Sequence, residues 1–277
     1  MTHQKLVNEY FHDAAPYWRE IYEAGAVQSA IYARRRDRVL AFIDGLNLAP
    51  GSLMLEAGCG AGATTITLAR RGHLVTATDS VEAMLHMTRE LARESGMDDK
   101  VCTELADINH LRFASGTFDV AAAIGVLPWL ESLDAPVREI ARVLKAGGYL
   151  IATVDNVLAL NRIIDPRLSP AIEPVKRFLR TILSRSGWRN APLRARAHSI
   201  RQLERALSRA GLKKIAGCTA GFGPFTFWNR ELISNRRGHQ LNDWLQRRAD
   251  GGVPIPRSTG AHCIVLARKI ATGKETP

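Results

Sequence analysis

Leu53-Met54-Leu55-Glu56-Ala57-Gly58-Cys59-Gly60-Ala61-Gly62 is the stretch that decides the fold. A short apolar run leads through a carboxylate into three glycines at alternate positions, and the amphipathic segment Ala63 to Arg71 follows. The run reads as a buried strand and the segment after it as a helix. Between them, glycines let the backbone turn tightly and approach a ligand closely. A glycine-rich turn is weak evidence by itself, because dinucleotide-binding proteins carry G-x-G-x-x-G at the same corner. Here the third glycine comes one residue early.

Moving outward, short apolar runs at Leu74 to Thr78, Val101 to Leu105, Val120 to Ile124 and Tyr149 to Thr153 alternate with amphipathic stretches. Strand and helix in alternation predict a parallel, doubly wound sheet over 49–155. Before it, 1–48 reads as a helical cap of two helices, in which Val39, Phe42, Ile43 and Leu46 recur at helical spacing until Pro50-Gly51. After it, 156–198 turns arginine-rich and helix-leaning, broken by Pro166, Pro170, Pro174 and Pro192, and reads as an inserted lid without a clear strand. Segment 199–277 completes the sheet: a helix from Ser199, its N-cap, to Gly211, its stop, then strands over Lys213 to Cys218 and His262 to Ala267.

Asp79 ends the second strand, where a carboxylate can accept both ribose hydroxyls of a nucleoside. The plainer reading is a helix cap, a task for which Ser80 is better placed. Further blocks follow in order: Ala106-Asp107-Ile108, Leu111-Arg112-Phe113-Ala114-Ser115-Gly116-Thr117-Phe118-Asp119-Val120, and Arg142-Val143-Leu144-Lys145-Ala146-Gly147-Gly148-Tyr149-Leu150. Together with the glycine turn these resemble class I S-adenosylmethionine-dependent methyltransferases over about 53–153, and within them the ubiquinone and menaquinone branch, from whose third block Arg112 departs where proline is common.

The resemblance implies an α/β, Rossmann-like class I methyltransferase sheet and S-adenosylmethionine as cofactor. It implies that Glu56 and Gly58 face the methionine end, that Cys59, Gly60, Gly62, Ser80 and Gly125 border the cofactor, that Asp79 holds the ribose, and that Asp107 and Ile108 contact adenine with Met84 on its other face. Met84 in ordinary helix packing is the alternative. The family also closes an aromatic-rich helix over the cofactor; Tyr10 to Trp18 matches that habit, with Tyr17 or Tyr22 as donor to the methionine carboxylate or else as packing.

Gly125-Val126-Leu127-Pro128-Trp129 lacks the Asn or Asp, two prolines and aromatic that mark methylation of base amines. Trp18, Trp129, Phe222 and Phe225 are the candidate substrate-pocket residues, and His110 and His198 the candidate bases for a hydroxyl acceptor; a carboxylate acceptor needs none. Methyl transfer is an in-line displacement, so alignment in a dry site is the main requirement.

Cys59, Cys102, Cys218 and Cys263 are too scattered for a metal knuckle or disulfide scaffold, and buried reduced thiols are expected. The longest apolar run, Val120 to Leu130, is short of the roughly 20 residues that span a bilayer. With no apolar leader at Met1, the expected location is the cytoplasm. The formal charge of +11 is concentrated between Leu160 and Asp250, which hold 19 Lys and Arg against 6 Asp and Glu. That surplus is either a solvated face or a docking surface for something acidic: an acyl carrier protein, an anionic membrane surface or, less favoured, nucleic acid. The leading expectation is O-methylation of a carboxylate or hydroxyl on a lipid-like or acyl small molecule, with an acidic acyl carrier protein as one means of delivery. Carrier-protein methyl-ester formers and fatty-acid methyl-ester synthases are similar in overall plan. RNA methylation and a non-catalytic, cofactor-binding regulatory protein are the alternatives.

Overall fold

The computed structural model describes residues 2–21, 26–169, 172, 193–228 and 230–270. Strands β1 (Leu53–Ala57), β2 (Leu74–Asp79), β3 (Val101–Leu105), β4 (Phe118–Ala123), β5 (Leu144–Asn156), β7 (Leu212–Ala220) and β10 (His262–Lys269) form one sheet in the order β3-β2-β1-β4-β5-β10-β7. The first five are parallel, and β10 runs antiparallel to both neighbours. This is the Rossmann-like, mostly parallel sheet expected from the sequence.

Two-residue alternation along the strands divides the core. Leu55, Ala121, Leu150, Ala152 and Val265 face one layer, with Val137 and Ile140 of helix α6 (Asp134–Val143) and Leu203 and Leu207 of helix Ile200–Arg209. Met54, Val120, Ile151 and Ile264 face the other, with Val39 and Ile43 of α3 (Val27–Asp44) and Leu68 of α4 (Ala63–Arg70). Helix Ile200–Arg209 starts where the sequence places it: the Ser199 hydroxyl accepts from the Gln202 N–H in a capping box, and Gly211 beyond its end has φ +73°.

The N-terminal cap differs from the two helices expected. Pro16 starts a new helix after a break at Ala14, giving α1 (His3–Asp13), α2 (Ala15–Glu20) and α3. The described part of the lid contains helix α7 (Leu160–Ile164) and, against expectation, a short strand β6 (Ala197–His198) paired in parallel with Asp155 and Asn156 of β5. Most of the lid lies outside the described residues. Hairpin β8 (Thr226–Phe227) and β9 (Arg230–Glu231) stands apart from the main sheet. Among the described residues no helix is long and apolar enough to cross a membrane.

Candidate functional site

Strand order reverses at β1, which lies between β2 and β4, and ligands of open α/β sheets bind beyond the carboxyl ends of the strands at such a point. A cleft with about 1190 Å³ of empty space, open mouth included, lies there. Its first wall is the glycine turn. Gly58, Gly60 and Gly62 have φ of +74°, +55° and +85°. A Cβ on Gly58 would stand 2.7 Å from Val126 Cβ, and one on Gly62 2.9 Å from Thr88 Oγ1. The turn is pinned to β2, since the Gly58 and Cys59 N–H groups donate to the Thr78 carbonyl at 2.7 and 2.9 Å.

Asp79 does two structural jobs at once: its Oδ2 accepts from the Gly60 N–H and its Oδ1 from the Val81 N–H, each at 3.0 Å. Burial raises its pKa, and these backbone hydrogen bonds work against that rise. The helix-entry role expected of Ser80 therefore falls to Asp79. Helix α5 (Glu82–Glu94) has no side-chain cap, and the Ser80 hydroxyl is occupied by Asn8 Oδ1 at 2.9 Å and the Gln4 amide at 3.3 Å, both on α1. α1 is thereby fastened over the cleft beside Asp79.

Gly58, Cys59, Gly60, Asp79, Ser80, Met84, Asp107, Ile108 and Gly125 all line the cleft, as do Trp18 and Trp129. Met84 is buried with Ala15 and Val81, and Phe11 and Trp18 pack against this group, so the packing role also holds. Trp129 is half-buried and stacks on Tyr10 at 5.2 Å, with Phe11 edge-on at 4.9 Å, forming an aromatic wall between α1 and the loop after β4. Glu56 lies beneath the turn. It accepts from the Thr65 hydroxyl, and burial, reinforced by the Asp79 charge, drives its carboxyl from 4.5 to about 8.

Several sequence-based candidates do not line the cleft. Gly62 shapes the turn without reaching the cleft surface. Phe222 and Phe225 are corrected from substrate pocket to core: both are buried in a separate cluster with Ala249, because the Gly221-to-Phe225 segment is drawn under helix Asn235–Asp250, whose Asn242 and Gln246 accept from the Phe222 and Gly221 N–H groups. Tyr17 is 53% exposed and does not line the cleft. Tyr22 lies outside the described residues. His110 is exposed in the turn after Asp107 and does not line the cleft. His198 on β6 is half-buried outside the cleft lining, with burial lowering its pKa. Cys102 is exposed, not buried as expected, since β3 is an edge strand.

The sequence reading missed the far end of the cleft, where Tyr32 and Arg35 of α3 meet Asp155 of β5 and Ala195 at the end of the lid. Arg35 is 6% exposed, and its guanidinium lies 4.8 Å from the Tyr32 ring centre. Asp155 accepts from His262 Nδ1 at 3.2 Å and faces Arg162 at 3.8 Å. A signal for Arg35 was present: Val27, Ile31, Val39 and Ile43 recur every four residues, which puts position 35 in the middle of the buried stripe.

Fold and cleft define a Rossmann-like domain with its cleft at the first glycine turn. Residues 55–152 match the model of a family described as "Methyltransferase domain". The chain is 36% identical over 106 residues, 38% of each protein, to the methyltransferase GfsG of Streptomyces halstedii. It is 38% identical over 104 residues, 37% of each, to a malonyl-[acyl-carrier protein] O-methyltransferase of Erwinia pyrifoliae. The chain thus spans well under half the length of these relatives. The fold is similar to the crystal structure of magnesium protoporphyrin IX methyltransferase from Synechocystis PCC 6803 with bound S-adenosylhomocysteine, at a TM-score of 0.62 and 20% identity, covering 97% of this chain and 100% of that one.

Proposed function

We propose that the protein is an S-adenosylmethionine-dependent methyltransferase that O-methylates a hydroxyl or carboxylate on a lipid-like or acyl small molecule. The observation that carries this reading is the convergence, in one cleft, of a glycine cradle that tolerates no Cβ at Gly58 and of the Asp79 carboxylate, opposite an aromatic wall. The cradle fits the cofactor. Gly58, Gly60 and Asp79 would hold its methionine and ribose parts, and Asp107, Ile108 and Met84 its adenine. When bound, the cofactor supplies an electrophilic methyl group on a sulfonium. The chain's own contribution is orientation and exclusion of water: Phe11, Trp18 and Trp129 wall the cleft, Tyr10 stacks on Trp129, and α1 covers the cleft through Gln4 and Asn8.

Delivery of the acceptor by an acidic acyl carrier protein is the favoured route, supported by the basic surplus between Leu160 and Asp250 and by similarity to a carrier-protein methyltransferase. Calorimetry with S-adenosylmethionine, S-adenosylhomocysteine and NAD tests the cofactor; NAD binding with no heat from the other two would overturn it. Labelled methyl donor offered with lipid extract, charged carrier protein or total RNA tests the acceptor. Label transferred to RNA alone would replace the lipid-like reading, and none to any would favour a cofactor-binding protein without turnover.

A further inference from the structure

Among the described residues, four buried nitrogens without a hydrogen-bond partner gather around Asp155: Trp18 Nε1, Arg35 Nε, His198 Nε2 and His262 Nε2. Trp18 and Arg35 line the cleft with Asp155, His262 bonds it, and His198 faces it electrostatically. Buried polar atoms are almost always paired, so such a concentration points to a ligand that completes them. Asp155 itself is under-used. Its side chain is 22% exposed and, although a carboxylate offers about four lone-pair sites, it accepts a single hydrogen bond among the described residues. Arg162, at 3.8 Å, is an ion-pair partner beyond hydrogen-bond reach.

Building on the methyltransferase reading, we propose that Asp155 is the acceptor-oxygen subsite: it accepts a hydrogen bond from a hydroxyl-bearing acceptor, a phenol, enol or alcohol, and takes its proton during methyl transfer. An ionised carboxylate can only accept, so Nδ1 of His262 must be the donor, and that bond holds Asp155 in place. Asp155 asks for a donor, while Trp18 Nε1 and Arg35 Nε, which can only donate, ask for an acceptor. A hydroxyl supplies both, whereas a carboxylate acceptor would set a second negative charge against Asp155. Burial works against ionisation of Asp155, but the His262 hydrogen bond and the charges of Arg35 and Arg162 outweigh it and hold the pKa below the usual carboxylate range, while burial lowers the pKa of His262 itself. Tyr32, His198 and Cys263 also face it.

Such a weak base suffices, because the hydroxyl becomes far more acidic than any carboxyl as its oxygen bonds to carbon. In the transfer the acceptor oxygen forms the new bond to carbon, and the carbon–sulfur bond breaks with its electron pair passing to sulfur. The proton leaves the acceptor oxygen for the Asp155 carboxylate, which returns it to solvent after product departs.

The test uses the full chain saturated with S-adenosylhomocysteine and two matched probes, 4-octylphenol and 4-octylbenzoate, with binding read by calorimetry. The phenol should bind at least about tenfold more tightly, as expected of a site built around a substrate hydroxyl. Asp155→Asn should reverse that preference, since Arg35 and Arg162 then face the benzoate unopposed, while leaving S-adenosylhomocysteine affinity unchanged. With labelled methyl donor, the variant should methylate the phenol about 10² to 10⁴ times more slowly. Equal or tighter benzoate binding by the wild type, binding of neither probe, or undiminished phenol methylation by Asp155→Asn would each overturn the proposal. The wild-type comparison stands even if the variant does not fold. Absence of any heat from S-adenosylhomocysteine would instead count against the methyltransferase reading itself.

Discussion

The two ends of the cleft are built by different means. At the Asp79 end, most of the shape comes from backbone within a few dozen residues: the positive-φ glycines, their N–H groups on Thr78 and Asp79, and the short reach from β1 to β2. At the Asp155 end, side chains from α3, α7, β5 and β10 meet across more than 200 positions of sequence. The first end is thus shaped by local backbone geometry, and the second by side chains that only the tertiary fold brings together.

Gly58→Ala is the harshest test of the claim that backbone shape makes the first end. A left-handed residue with a Cβ costs about 1–2 kcal/mol and a crowded core another ~1–3 kcal/mol. The new Cβ would stand 2.7 Å from Val126 Cβ. Stability to denaturant and cofactor affinity should both fall; a variant that keeps both would break the comparison.

The buried Glu56 carboxyl sharpens it from beneath. Its pKa is raised from 4.5 in the unfolded chain to about 8 in the fold, so between those values the folded state holds a proton that the unfolded state has lost. Stability of the ligand-free protein should therefore decline as pH rises from 4.5 to about 8, by a few kcal/mol at most, and level off above. Glu56→Gln should flatten most of that slope in denaturation series across the window; an unchanged slope would mean that another group carries it.

Asp79→Ala should weaken cofactor binding by about 1–3 kcal/mol, because the Gly60 and Val81 N–H groups lose their acceptor together with any ligand hydroxyl. Calorimetry on a folded variant with unchanged affinity would move the ribose contact elsewhere. The smallest effect belongs to the basic surface. Reversing Arg177, Arg180, Arg185 and Arg189, which lie outside the described residues, together with Arg194, should raise the acceptor KM while sparing cofactor affinity. Arg196 is left out because it is already engaged, its N–H on the Pro128 carbonyl and its guanidinium on that of Glu131. The wild-type acceptor KM should also climb with salt, since exposed charges are screened over about 8–10 Å. Kinetics indifferent to both changes would leave the arginines a solvated face.

Strands β1 to β5, β7 and β10, the helix from Ser199 to Gly211, the glycine turn and Asp79 were legible in the amino-acid sequence because each depends on a local rule: period-two apolar runs, a capping residue, glycines needed for positive φ, a carboxylate at a strand end. Phe222 and Phe225 were misread because an aromatic segment between glycines has the same composition whether it lines a pocket or fills a core. Only the packing of helix Asn235–Asp250 over it decides. Asp155, His262, Tyr32 and Arg35 carry no shared local pattern. Strand β10 must insert antiparallel between β5 and β7, and α3 must lie across the sheet, before those four side chains meet. Short-range steric and hydrogen-bonding preferences are written residue by residue, whereas a cluster of buried charge exists only where distant elements exclude water together.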